Sequence, residues 1–168
     1  MKNLIRKILK EEIDKSVFNQ VGNNDKIHIS DSDNLTFKNV PINEQPISYK
    51  PEGLWFSLGM EWIEFLIGDE WGHNMRDRID DYLYLINTND STILTLGKEN
   101  EEQFLNKYGI RNKYDNMDVD WSKVANDWDG IEIIINPREL NERWLWSTWD
   151  IPSGCIWNIK GITSIRKL

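Results

Sequence analysis

The sequence predicts an α+β fold, and three observations carry that prediction. The N-terminus has the apolar spacing of an amphipathic helix, short strand-like runs occur early, middle and late, and strand and helix do not alternate regularly. At 168 residues the chain is long enough to bury a substantial core, and no repeat, linker or low-complexity stretch divides it. It reads as one domain over 1–168, with a peripheral N-terminal helix in 1–24 and the core in 25–168. Hydrophobic residues at 39% beside charged residues at 29% argue for folding over disorder.

Leu4, Ile5, Ile8, Leu9, Ile13 and Val17 recur at helical spacing, so residues from about 2 to 19 form the predicted helix, stopped near Gly22-Asn23-Asn24. Lys26 to Ser30 alternates as a half-buried strand does. Pro41, Pro46 and Pro51 leave residues 36–51 an extended connection, of a kind that often carries function. Gly53 to Ser57 is a compact aromatic strand, and Met60 to Ile67 suits a short helix with Trp62, Ile63, Leu66 and Ile67 on its apolar side.

Two strands, 82–86 and 92–96, are expected on either side of a turn at 87–91, as in a hairpin. A helix over Glu99 to Tyr108 turns Phe104 and Leu105 inward and stops at Gly109, and Asp120 is placed to cap a helix through Ala125. The remainder reads as strands at 131–135, 144–149, 155–158 and 162–166.

A formal net charge of −8 and a pI near 4.8 argue against strong nonspecific binding to nucleic acid, which depends on clustered Lys and Arg releasing counterions. The basic residues near the two ends, Lys2, Arg6, Lys7 and Lys10, then Lys160, Arg166 and Lys167, read as solvated faces. Cys155 is the single cysteine, so neither an intrachain disulfide nor a cysteine-based metal site is expected. His28 and His73 lack metal-ligand spacing, so no metal is expected either. The opening MKNLIRKILKEEIDK has no uninterrupted apolar core and no later run is membrane-spanning, which predicts a cytoplasmic protein without membrane contact.

Six of the nine tryptophans lie between 121 and 157, and Trp144 and Trp146 would share a strand face. Packing accounts for most of them, and one or two are expected to line a pocket, since a flat indole is a favoured surface for purine or nicotinamide rings. His28, alone on its strand, reads most plainly as a histidine holding a local hydrogen bond. Asp129 and Glu132, in DWDGIEIIIN, stand at the mouth of an apolar strand where a partly desolvated carboxylate can orient a hydroxyl or stabilise a cation. Asp150 is similarly placed before Pro152-Ser153-Gly154. For each the plainer reading is a turn Asp or a sheet-surface Glu. No Walker loop, GxGxxG, GxSxG or CxxC occurs, so nucleotide hydrolysis, Rossmann-type hydride transfer and serine esterase chemistry find no support.

Taken in order, these segments resemble the ADP-ribosyltransferase superfamily, including its poly-ADP-ribose polymerase and DarT-like branches. Ile27-His28-Ile29-Ser30 looks like the family's first strand, whose polar residue contacts the NAD ribose. KPEGLWFS, residues 50–57, is similar to the glycine-aromatic strand beside the nicotinamide, with Gly53, Trp55 and Ser57 in the corresponding places. YLYLI and TILTL resemble the middle strands, VANDWDGIEI the strand that carries a YDGI pattern, and SGCIWNIKGITSIRKL the closing strands that normally supply a catalytic Glu. Here Ser153-Gly154 stands where that Glu is expected, and the nearest acids are Asp150 and Glu132.

The resemblance implies a mixed, largely antiparallel split sheet of the ADP-ribosyltransferase type behind the N-terminal helix. It implies NAD as a substrate, held by His28, Ser30, Gly53, Trp55, Ser57 and Asp129. Glu132, Asp150 and Ser153 become the candidate catalytic residues, with Glu132 slightly preferred because its side chain should point away from the faces of Ile131 and Ile133. The acceptor would be a macromolecule, protein or nucleic acid, in a toxin, defence or counter-defence role. The alternative is a non-catalytic binding or inhibitor protein that uses an acidic, tryptophan-rich surface.

Overall fold

The computed structural model describes residues 20–68 and 82–168. The predicted helix at 2–19 and the segment with His73 lie outside them. Seven strands form one mixed sheet: β1 (Lys26–Ser30), β3 (Leu54–Leu58), β4 (Tyr82–Thr88), β5 (Ile93–Leu96), β8 (Gly130–Ile133), β9 (Ser153–Ile156) and β10 (Ile162–Lys167). Their order is β10-β4-β1-β3-β9-β8-β5, and β2 (Ile47–Ser48), β7 (Met117–Asp120) and β6 (Gly109–Arg111) make a smaller second sheet. Only β5 and β8 pair in parallel; every other described pairing is antiparallel. The α+β prediction holds. One sheet joins the strands of His28, Trp55 and Ile133.

Alternation along the strands divides the core between the two faces of the large sheet. Leu96, Ile131, Ile133 and Cys155 point to one face and pack there with Trp121, Trp146, Trp149 and Trp157. Leu54, Phe56, Leu58, Ile93 and Ile156 point to the other with Tyr84 and Ile86. The described helices are α1 (Glu61–Gly68), α2 (Glu101–Tyr108), α3 (Trp121–Asp127) and the single turn α4 (Arg143–Trp146). Asp120 caps α3 as expected, its carboxylate accepting the Lys123 N–H.

Among the described residues, each buried indole has found an acceptor for its N–H. Trp121 donates to the Ser48 carbonyl (3.1 Å), Trp146 to Glu101 Oε1 (2.9 Å), Trp149 to the Tyr49 carbonyl (3.1 Å) and Trp157 to the Trp128 carbonyl (2.7 Å). Two of these bonds end on the proline-bounded connection, which is therefore a fixed strap. A second clamp on it is Gln45, buried, whose amide both donates to the Glu52 carbonyl and accepts from the Glu52 N–H.

Two local readings give way to longer-range contacts. Residues 144–149 form α4 and a 3-10 turn at Ser147–Trp149, not a strand. Successive helical residues turn by about 100°, so Trp144 and Trp146 diverge: Trp144 is 63% exposed and Trp146 fully buried. The 87–91 connection is not a hairpin. β4 lies next to one edge of the sheet and β5 forms the opposite edge, because the Asn89 N–H bonds the Gly161 carbonyl and β5 pairs with β8.

Candidate functional site

The β1–β3 ladder consists of two pairs, Lys26 with Leu58 and Ile27 with Ser57, whereas β1 pairs with β4 along all five of its residues. Beyond the two pairs the His28 imidazole takes over, its Nδ1 lying 2.6 Å from the Trp55 carbonyl. A cleft of about 330 Å³ lies here, within the usual range for small-molecule sites. It is lined by His28, Trp55, Ser57, Asp150 and Ser153 together with Lys50, Trp62 and Trp149.

A carbonyl can only accept, so the His28 Nδ1 carries the proton and the neutral ring presents Nε2 as an acceptor. Burial holds the imidazole below its usual pKa, with the Trp55 carbonyl opposing that shift. The unfolded chain therefore binds more protons than the folded one as the pH falls through 6.5. The wild type is expected to lose melting temperature between about pH 7 and pH 5, and His28→Gln to lose less of it over the same interval. Parallel slopes for the two proteins in thermal melts would remove His28 as the cause.

Trp55 packs edge-on against Trp149, with ring centroids 4.8 Å apart, and the Lys50 ammonium stands 5.5 Å from the Trp55 centroid. Ser57 is 3% exposed, and its Oγ has no hydrogen-bond partner among the described residues. A buried hydroxyl left this way costs free energy until something bonds it. Ser153 Oγ donates to the Ile151 carbonyl at 2.9 Å, which leaves its lone pairs as acceptors.

Asp150 has φ 44° and ψ −50°, a left-handed conformation, and the Ile151 N–H turns back to the Trp149 carbonyl across it. Such a tight turn is strained for a residue with a Cβ. Its carboxylate has no hydrogen bond among the described residues, and it supports the charge on Lys50 electrostatically.

Of the candidates read from the sequence, His28, Trp55, Ser57, Asp150 and Ser153 thus line one cleft. Glu132 does not join them. Its side chain does point away from Ile131 and Ile133, as expected. Those isoleucines, however, share their face with Ser153 and Cys155, so the alternation turns Glu132 to the reverse side of the sheet. There its carboxylate pairs with Lys26 Nζ at 2.6 Å and accepts from Thr95 Oγ1 at 2.9 Å.

Ser30 lies outside the cleft lining, and its Oγ accepts the Ser32 N–H at 3.1 Å. Asp129 flanks the far end of β8, where its carbonyl accepts from Trp157 and Asn158. Gly53 has a backbone role: at φ 155° a Cβ would strike the Ile156 carbonyl, so only glycine lets β3 lie against β9 here.

Sequence reasoning missed Lys50, Trp62 and Trp149 as lining residues. The proline spacing marked the strap but not the direction of its lysine, and the contact of Trp149 with Trp55 spans 94 residues of chain. The Cys155 thiol is fully buried and its pKa is pushed well up, so it takes no part as a nucleophile. Among the described residues no cluster of His, Cys, Asp and Glu could hold a metal ion, and no helix is long and apolar enough to cross a membrane. Comparison of the chain with protein-family models, curated proteins and solved structures finds no match.

Proposed function

We propose that the cleft binds NAD and that the protein transfers ADP-ribose to a macromolecular target in the cytoplasm, with Asp150 as the assisting carboxylate. The observation that carries this reading is the convergence of His28, Trp55, Ser57, Asp150 and Ser153 on one cavity. The partly buried Trp55 indole, backed edge-on by the buried Trp149, suits a flat ring, the Ser57 hydroxyl lacks a partner, and His28 offers an acceptor for a ribose hydroxyl. A sheet of the ADP-ribosyltransferase type belongs to the same proposal.

In the proposed reaction the bond between the nicotinamide nitrogen and ribose C1′ breaks, and its electron pair leaves with neutral nicotinamide. A lone pair on the target forms the new bond to C1′, and the target's displaced proton passes to a base. Between these events C1′ carries oxocarbenium charge. A carboxylate held close to that charge lowers the barrier because it is already oriented and needs no reorganisation. Ser153, three residues beyond Asp150, would help to position the ribose. The family's usual Glu has no counterpart at this place, so the acid comes from the preceding turn.

The test is incubation of the wild type with labelled NAD and a cell lysate, followed by measurement of label in macromolecules. Transfer of label is the expected result. A wild type that binds NAD and transfers nothing would leave the binding-protein reading in its place.

A further inference from the structure

We propose that Lys50 reads the phosphate of the ligand, meeting it with its ammonium while the ligand's planar ring lies against Trp55. This rests on the NAD reading for the identity of the ring, but the argument for an anion is independent of it. Among the described lysines and arginines only Lys26 and Lys50 are withdrawn from full exposure. Lys26 is paired with Glu132 at 2.6 Å. Lys50 has no carboxylate within ion-pair distance among the described residues; it lies over the Trp55 ring and feels Asp150 only as a longer-range charge. A half-buried cation with no carboxylate at ion-pair distance keeps N–H donors that an anion can complete. The same burial holds the pKa of Lys50 below that of a free lysine.

The position of this lysine is built. Ser48 Oγ donates to the Lys50 carbonyl at 2.6 Å and accepts its N–H at 3.2 Å. Trp121 and Trp149 donate to the carbonyls of Ser48 and Tyr49 just before it, and the Gln45–Glu52 clamp closes the strap around it. The backbone that carries Lys50 is therefore ordered before any ligand arrives. In a chain of net charge −8, a cation at an aromatic cleft is also where an anionic ligand is attracted. The neutral acceptor of His28 has no proton to offer a phosphate, and Lys50 is the one lysine or arginine among the described lining residues, so the anionic part of a ligand falls to Lys50.

Calorimetric titrations of the wild type, Lys50→Gln and Lys50→Arg with NAD, ADP-ribose, nicotinamide riboside and inorganic pyrophosphate test this. Lys50→Gln is expected to weaken NAD and ADP-ribose by about ten- to a hundredfold, to leave nicotinamide riboside unchanged, and to be largely rescued in Lys50→Arg. Inorganic pyrophosphate alone should bind far more weakly than NAD; equal affinity would mean a free-anion site and overturn the proposal. Equal losses for NAD and the riboside, or no loss for NAD, would overturn the role of Lys50 and leave NAD binding intact. Binding of ADP-ribose that depends on Lys50, in a protein that ignores NAD, would uphold Lys50 and sink the NAD reading. A wild type that binds none of the phosphate-bearing probes would overturn both.

Discussion

Asp150→Asn is expected to reduce ADP-ribose transfer by roughly two to three orders of magnitude, while Glu132→Gln leaves it within a few-fold of wild type. Asn keeps the size of the side chain but removes the charge that would face the oxocarbenium ion. Glu132 is separated from the cleft by the sheet itself and is engaged with Lys26 and Thr95. Its replacement should appear in stability, because a neutral amide removes the nearer of the two carboxylates beside the Lys26 ammonium and leaves it only the exposed Asp90 at 3.4 Å. A third variant separates chemistry from folding. Asp150→Gly relieves the strain at φ 44° and is expected to raise stability by about 1 kcal/mol, yet to lose transfer as Asp150→Asn does. Full transfer in Asp150→Asn, or its loss in Glu132→Gln at unchanged stability, would reverse the assignment.

The largest effect on stability is expected at Glu101. This carboxylate is 1% exposed and accepts four hydrogen bonds: from the Asn141 N–H (2.7 Å), Asn141 Nδ2 (2.9 Å), the Glu142 N–H (2.8 Å) and Trp146 Nε1 (2.9 Å). It thereby fixes the entry to α4 against the first turn of α2. Glu101→Ala removes the acceptor of all four, leaving the buried Trp146 Nε1 unpaired and the part-buried Asn141 and Glu142 donors to water, and is expected to cost about 3 kcal/mol. Gln should not rescue it fully, because its NH2 group would face donors where Oε1 or Oε2 now accepts. Urea denaturation of both variants checks this, and a midpoint unchanged in Glu101→Ala would show that the four bonds contribute nothing net. The chain from Trp146 leads directly to Trp149 and Asp150, so the loss should also blur the cleft.

Glu101 also shows where the sequence stops being legible. The period-two spacing of Trp144 and Trp146 is real, but a carboxylate about 40 residues away gathers Asn141, Glu142 and Trp146 into a helical turn, and no window around Trp144 contains that information. The placement of Glu132 is hidden from the sequence for a related reason. Its direction relative to Ile131 and Ile133 followed from alternation, but which face holds the cleft depends on how β8, β9 and β3 align, and that is a property of the assembled sheet. Local chemistry was readable where it is decisive. The Asp120 cap, the α2 helix and the strands of His28, Trp55 and Ile131 stand as expected, because capping and alternation act within a few residues. Lys50 escaped notice because what places it is the N–H groups of distant tryptophans.

Thermal melting with and without NAD tests whether this cleft is a dinucleotide site. A ligand that binds only the folded protein raises its melting temperature in proportion to occupancy. The expected result is a rise for the wild type that grows with NAD concentration. Trp55→Ala should nearly lose that rise and Trp62→Ala should keep more of it, because Trp55 lies on β3 against Trp149 whereas Trp62 reaches the cleft from α1. A wild-type melting temperature that does not move as NAD is raised, or equal shifts in the two tryptophan variants, would rule out NAD binding against Trp55.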